Sequence, residues 1–139
     1  MTSETIHATS VAVDGRGILI LGRSGVGKSS LGLRLIAFGA DLVSDDRTIV
    51  TRTTSDLIAT APQTISGLIE ARGVGLIEMR AVVSTPLALI VDLDQIEAER
   101  LPHAHSHKLL ERELPCLHNA DSPHFPAAIL FYLRGTRKE

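Results

Sequence analysis

Cys116 is the only cysteine in the chain, so no disulfide within it is possible, and the usage fits a reducing, cytoplasmic compartment. Tryptophan is absent and aromatics are only 3% of residues. A core must therefore be built from Leu, Ile, Val and Ala, which suits strands buried between other layers in an α/β protein. There is no cationic excess, with 14 basic against 16 acidic residues and a net charge of −2. That balance excludes the electrostatic footprint of a general nucleic-acid binder. No apolar run approaches the ~18 residues of a membrane span. The opening MTSETIHATS lacks the basic and apolar regions of a secretory signal. No repeat or low-complexity linker breaks the 139 residues, and the expectation is one domain over 1–139 with one ordinary core.

What the chain does contain is a series of short apolar segments punctuated by glycine. Thr5 to Val13 reads as one strand, followed by an Asp14-Gly15 hairpin turn. Gly17 to Leu21 is a buried strand by its unbroken apolar run. Ser29 to Phe38 reads as a helix, with Gly39 at its C-terminal cap. Asp41 to Ser44, Thr48 to Thr53, Leu57 to Thr60 and Leu87 to Leu93 read as further strands, and Thr64 to Leu68 as a helical turn. Ile69 to Met79 is expected to be partly loop because of Gly73 and Gly75. His103 to Glu113 is expected to be a polar surface connection with one short strand, and Pro123 to Leu133 a helix packed on the sheet.

One segment carries specific chemistry. Gly22-Arg23-Ser24-Gly25-Val26-Gly27-Lys28-Ser29 fits the pattern G-x-x-x-x-G-K-[ST], with an apolar strand before it and an amphipathic helix after it. Three glycines let successive N–H groups turn inward towards anionic oxygens, and the helix N-terminus adds its dipole. Lys28 suits the β- and γ-phosphates, and the Ser29 hydroxyl suits Mg²⁺. The motif names a nucleotide and not a substrate.

Other residues admit two readings each. Asp45-Asp46 is either a polar turn or a pair of acids at the carboxyl end of a strand, one serving as base and the other holding metal or orienting Lys28. Glu70 and Arg72 are either a strand-end ion pair before a glycine turn or a Mg²⁺ contact and a clamp for phosphoryl oxygens. His7 is either a partly buried strand residue or a neighbour of the phosphate loop. His103, His105 and His107 would share one face if extended, but with His118 and His124 they read as surface histidines rather than a metal site.

Four segments in order resemble the catalytic domain of bacterial HPr kinase/phosphorylase: Ile6-His7-Ala8, the loop GRSGVGKS, Leu42 to Asp46, and Ile69 to Ile77. The last is similar to that family's signature sequence. The resemblance covers roughly residues 5 to 100. It implies an α/β fold, a P-loop mixed β-sheet with flanking helices of the HPr kinase/PEP carboxykinase type. It further implies an ATP- and Mg²⁺-dependent serine kinase acting on HPr or an HPr-like phosphocarrier, with reverse dephosphorylation, in a homo-oligomer. By that resemblance Asp46 is the general base and His7 the histidine beside it. Lys28 binds phosphate, Ser29, Glu70 and Asp45 serve the metal, Arg72 and Arg100 are active-site arginines, and Gly22 through Ser30 cradle the nucleotide. Ser30 and Arg23 stand where many members carry acidic residues. The short form is similar to alphaproteobacterial homologues. A small-molecule kinase and a regulatory module that senses ATP without transferring phosphate are the rival readings.

Overall fold

The computed structural model describes residues 2–135. Alternating side chains build its centre. In β2 (Ala8–Val13) and β3 (Arg16–Leu21), successive residues face opposite sides of one sheet. Val11, Val13, Ile18 and Ile20 enter one apolar cluster, whereas Ala8, Ala12 and Leu19 enter another. The two strands form a hairpin whose register runs from Ala8 opposite Leu21 to Val13 opposite Arg16. Asp14 (φ 52°) and Gly15 (φ 76°) are both left-handed, as a two-residue turn matching the strand twist requires.

The main sheet has nine strands, in the order β1-β5-β6-β9-β3-β2-β4, with β11 also paired to β9 and β10 to β11. The added strands are β1 (Thr2–Ile6), β4 (Asp41–Ser44), β5 (Thr48–Arg52), β6 (Leu57–Thr60), β9 (Ser84–Ile96), β10 (His105–Leu109) and β11 (Arg112–Asn119). A separate two-stranded ribbon joins β7 (Leu68–Ala71) to β8 (Gly75–Glu78). The 13-residue β9 holds the molecule together. Its first residues pair antiparallel with β6, and its remainder runs parallel to both β3 and β11. A bulge between Leu87 and Leu89 reverses the side-chain alternation, so Leu87 joins one cluster while Leu89, Val91 and Leu93 join the other.

The two helices, α1 (Lys28–Ala37) and α2 (Phe125–Arg134), bury Leu31, Leu35, Ile129, Leu130 and Leu133 in the same cluster. Burying each such side chain fully is worth about 1.5–3 kcal/mol. The opposite cluster, with Val43, Val50, Leu57, Ala59 and Cys116, is closed by strands. Helix α1 ends as the glycine signalled: Gly39 takes φ 109°, its N–H bonds the Ile36 carbonyl, and that of Ala40 bonds Leu35. Pro126 stands in the first turn of α2, where its missing N–H costs nothing.

Three expectations change. Thr5 to Val13 is not one strand: it breaks at His7 because β1 pairs with β5 while β2 pairs with β3 and β4. Ile69 to Met79 is mostly the β7–β8 ribbon, with Gly73 (φ 86°) in its turn. His103 to Glu113 holds β10 and the start of β11, a hairpin turning through left-handed Leu110 and Glu111. Polar alternation hid both hairpins. Among the described residues no helix is long and apolar enough to cross a membrane.

Candidate active site

Strand direction brings the chemistry to one end of the sheet. β9 and β3 run parallel, and β4 runs the same way because both β3 and β4 are antiparallel to β2. The loop after β3, the acids after β4 and the end of β9 therefore lie at a common carboxyl edge, where ligands bind in open α/β sheets. Between that edge and the β7–β8 ribbon lies a cavity of about 500 Å³. Its lining includes Ser24, Gly25, Gly27, Lys28, Ser29 and Ser30 from the glycine loop, Asp45 and Asp46 from the end of β4, and Glu70 and Arg72 from the ribbon.

Asp45 is the hub. It is 6% exposed and receives three hydrogen bonds from three separate elements. Thr9 Oγ1 donates to Oδ1 at 2.8 Å, Ser29 Oγ donates to the same oxygen at 2.6 Å, and the Glu70 N–H donates to Oδ2 at 2.9 Å. A buried carboxylate is tolerable because these donors stand in for water. Helix α1 reaches Asp45 because Gly32 lets it sit against β2: a Cβ there would meet Thr9 Cγ2 at 2.9 Å.

Asp46 is different in every respect. It is exposed, and its backbone is left-handed at φ 68°. That conformation is rare for a residue with a side chain and clusters at functional sites. Its N–H points at Thr9 Oγ1 at 3.4 Å, and its Oδ1 lies 2.7 Å from His7 Nε2. The break between β1 and β2 thus sets His7 directly against Asp46. The pair-forming turn continues with the Arg47 N–H bonded to the Asp45 carbonyl at 2.7 Å.

Gly22, Gly25 and Gly27 all have positive φ, at 151°, 84° and 111°, which only glycine holds comfortably. Lys28 Nζ is folded onto the loop, donating to the Gly22 carbonyl at 2.6 Å and the Arg23 carbonyl at 3.0 Å. Arg23 faces outward. Its N–H and guanidinium bond the Asp94 carboxylate of β9, the latter at 2.8 Å. Gly22, Arg23 and Val26 do not line the large cavity. Nor does Arg100, which stands on the exposed segment after β9.

Two contributors escaped the sequence reading. Thr9 lies fully buried in an apolar strand and touches both acids, and a polar residue inside such a strand was the available signal. Asp94 fixes the outer wall of the loop, and its signal was an acid just beyond the apolar run LALIVDL.

The family model described as HPr Serine kinase C-terminal domain matches residues 1–114. The chain belongs to that family. Similar proteins include the HPr kinase/phosphorylase of Limosilactobacillus reuteri, 39% identical over 94 residues, which is 67% of this chain and 29% of that protein. The HPr kinase/phosphorylase of Bordetella pertussis is 40% identical over 110 residues, 70% of this chain and 36% of that one. The chain thus spans about a third of the length of the curated relatives it matches. The structure of the Hpr(Ser) kinase/phosphatase from Coxiella burnetii superposes with a TM-score of 0.81 at 27% identity, over 94% of this chain and 88% of that one. The fold is the mixed-sheet α/β fold of that kinase/phosphatase.

Proposed function

We propose that this chain is an ATP-dependent protein serine kinase that phosphorylates HPr or an HPr-like phosphocarrier, and that runs the reverse dephosphorylation with the same groups. The observation that carries the reading is the cavity in which the glycine loop faces one buried and one exposed aspartate.

The donors suit Mg²⁺, which takes oxygen ligands and keeps several waters. The Ser29 hydroxyl and the Glu70 carboxylate would hold the ion, with Asp45 orienting both through its hydrogen bonds to Ser29 Oγ and the Glu70 N–H. Bound there, Mg²⁺ would neutralise charge on the terminal phosphates.

The chain's own groups divide the work. Loop amides and Lys28 bind the phosphate oxygens, Lys28 releasing the Gly22 and Arg23 carbonyls to do so. Asp46 takes the proton of the acceptor serine as the serine oxygen bonds phosphorus and the bond to the ADP oxygen breaks. His7 holds Oδ1 of Asp46 and fixes the carboxylate's direction. Arg72, on the ribbon wall, supplies planar N–H donors to the transferring group. Arg100 acts only if the segment after β9 closes over the cavity.

Incubation with ATP, Mg²⁺ and a cognate HPr, followed by mass spectrometry, should show phosphoserine. Asp46→Asn should keep nucleotide affinity while lowering transfer by about 10²–10⁴-fold, the usual contribution of a positioned base. Unchanged downstream output in Asp46→Asn, with no phosphoserine in the wild type, would make the chain an ATP sensor instead. Lys28→Ala should abolish nucleotide binding by titration, and undiminished affinity would overturn the assignment of the loop.

A further inference from the structure

Outside the lining of the cavity, just past the carboxyl end of β9, the structure gathers three metal-type donors that the sequence scatters. Glu97 follows β9, His105 opens β10, and His118 lies near the end of β11. Their ligand atoms all lie within 4.8 Å of one another. His105 Nε2 sits 2.8 Å from Glu97 Oε1, and the His105 and His118 rings stack with centroids 3.8 Å apart. The side chains of His105 and Glu97 are only 16% and 11% exposed, so this is a half-buried cluster and not a solvated fringe.

The backbone is shaped around the cluster. β11 follows β9 in parallel register until His118 opposite Asp92, and the next pair jumps to Asn119 opposite Ile96. Bulges of this kind re-aim side chains. The Glu97 N–H then bonds the Asn119 carbonyl at 2.9 Å, which locks Glu97 beside the end of β11. The face shared by His103, His105 and His107 in sequence is not the grouping found, since β10 begins only at His105.

We propose that Glu97, His105 and His118 form a binding site for one divalent transition-metal ion of the zinc type. Two imidazoles and a carboxylate suit Zn²⁺, whereas the all-oxygen donors of the large cavity suit Mg²⁺. Tetrahedral bonds of about 2.0–2.2 Å would set the donors about 3.4 Å apart, so the cluster needs to tighten by roughly an ångström. Stacked rings cannot both aim in-plane nitrogens at one point, so one ring turns about χ2, a broad and soft torsion for histidine. Water completes the fourth position. The bound ion would clip the β10–β11 hairpin to the end of β9.

The test uses the full chain, stripped with chelator and free of nucleotide and Mg²⁺. Titration with Co²⁺ should give visible tetrahedral absorption saturating at one ion per chain, displaced by Zn²⁺. Zn²⁺ should raise the melting temperature. Glu97→Gln and His118→Gln should each weaken Zn²⁺ binding by more than the ~10–100-fold lost with an outer-shell partner. His7→Gln should leave it unchanged. If those variants fold poorly, ring ¹⁵N shifts of His105 and His118 in the wild type on adding Zn²⁺ decide the matter. Absence of saturable binding, binding retained in both variants, or shifts confined to other histidines would overturn the proposal.

Discussion

Asp45 and Asp46 are neighbours in sequence and opposites in surroundings. Asp45 is buried and triply bonded, so it fixes positions; Asp46 is exposed and held on one side by His7, which suits the base proposed for it. Asp45→Ala would strand the Thr9 and Ser29 hydroxyls and the Glu70 N–H, and should cost about 3 kcal/mol in denaturant unfolding. Thr9→Val keeps the shape of β2 and removes one hydroxyl, and should cost about 1 kcal/mol while lowering nucleotide affinity through Ser29. Cys116 supplies a pH test. Burial first, and the nearby Asp92 carboxylate second, push its thiol up to about 11. It should stay protonated in the folded chain through pH 9, and alkylation there should follow unfolding rather than thiol chemistry. Because the unfolded chain ionises this thiol at lower pH, the group's contribution to stability falls as pH rises from 9 towards 11.

Among the elements, β9 shows what the sequence exposed and what it concealed. LALIVDL was legible as a buried strand, because an unbroken apolar run has few other homes. Its extensions to Ser84 and Ile96 were not, because the ends alternate with polar residues and take their partners from β6 and β11, far away in sequence. The glycine loop, α1 and its cap were readable because their signals are local. The β1–β2 break, the β7–β8 ribbon and the β10–β11 hairpin were not, because partner choice decided them. The pairing of His7 with Asp46 followed from the family resemblance rather than from any spacing. Gly17 records a tight approach between β3 and β9: a Cβ there would meet Thr85 Cγ2 at 2.6 Å and the Pro86 carbonyl at 3.0 Å. Gly17→Ala should therefore lower stability by about 1–3 kcal/mol, measurable as a lower urea midpoint at unchanged slope.

At the scale of the molecule, two apolar clusters share the same strands. Ile18 and Ile20 face the helical side while Leu19 faces the strand side of β3. Leu19→Ala and Ile20→Ala should each cost about 2–5 kcal/mol although they empty different clusters. Unfolding should remain one transition in both. Tyr132, the only tyrosine in a chain without tryptophan, packs beside the helical cluster and gives its fluorescence report. That signal should coincide with loss of sheet circular dichroism, and two separated transitions would show that the clusters unfold independently.

The central seat of β3 has a bearing on biosynthesis. The glycine loop hangs from a strand flanked by β2 on one edge and β9 on the other, and β9 is made only after the loop, both acids and the ribbon have been translated. A ribosome-held fragment ending before Ser84 contains every proposed nucleotide contact except Arg100 yet lacks the strand that seats them, so it should not retain ATP. Competence should appear only once β9 and also α2, which supplies Ile129, Leu130 and Leu133 to the cluster beneath β3, have cleared the exit tunnel.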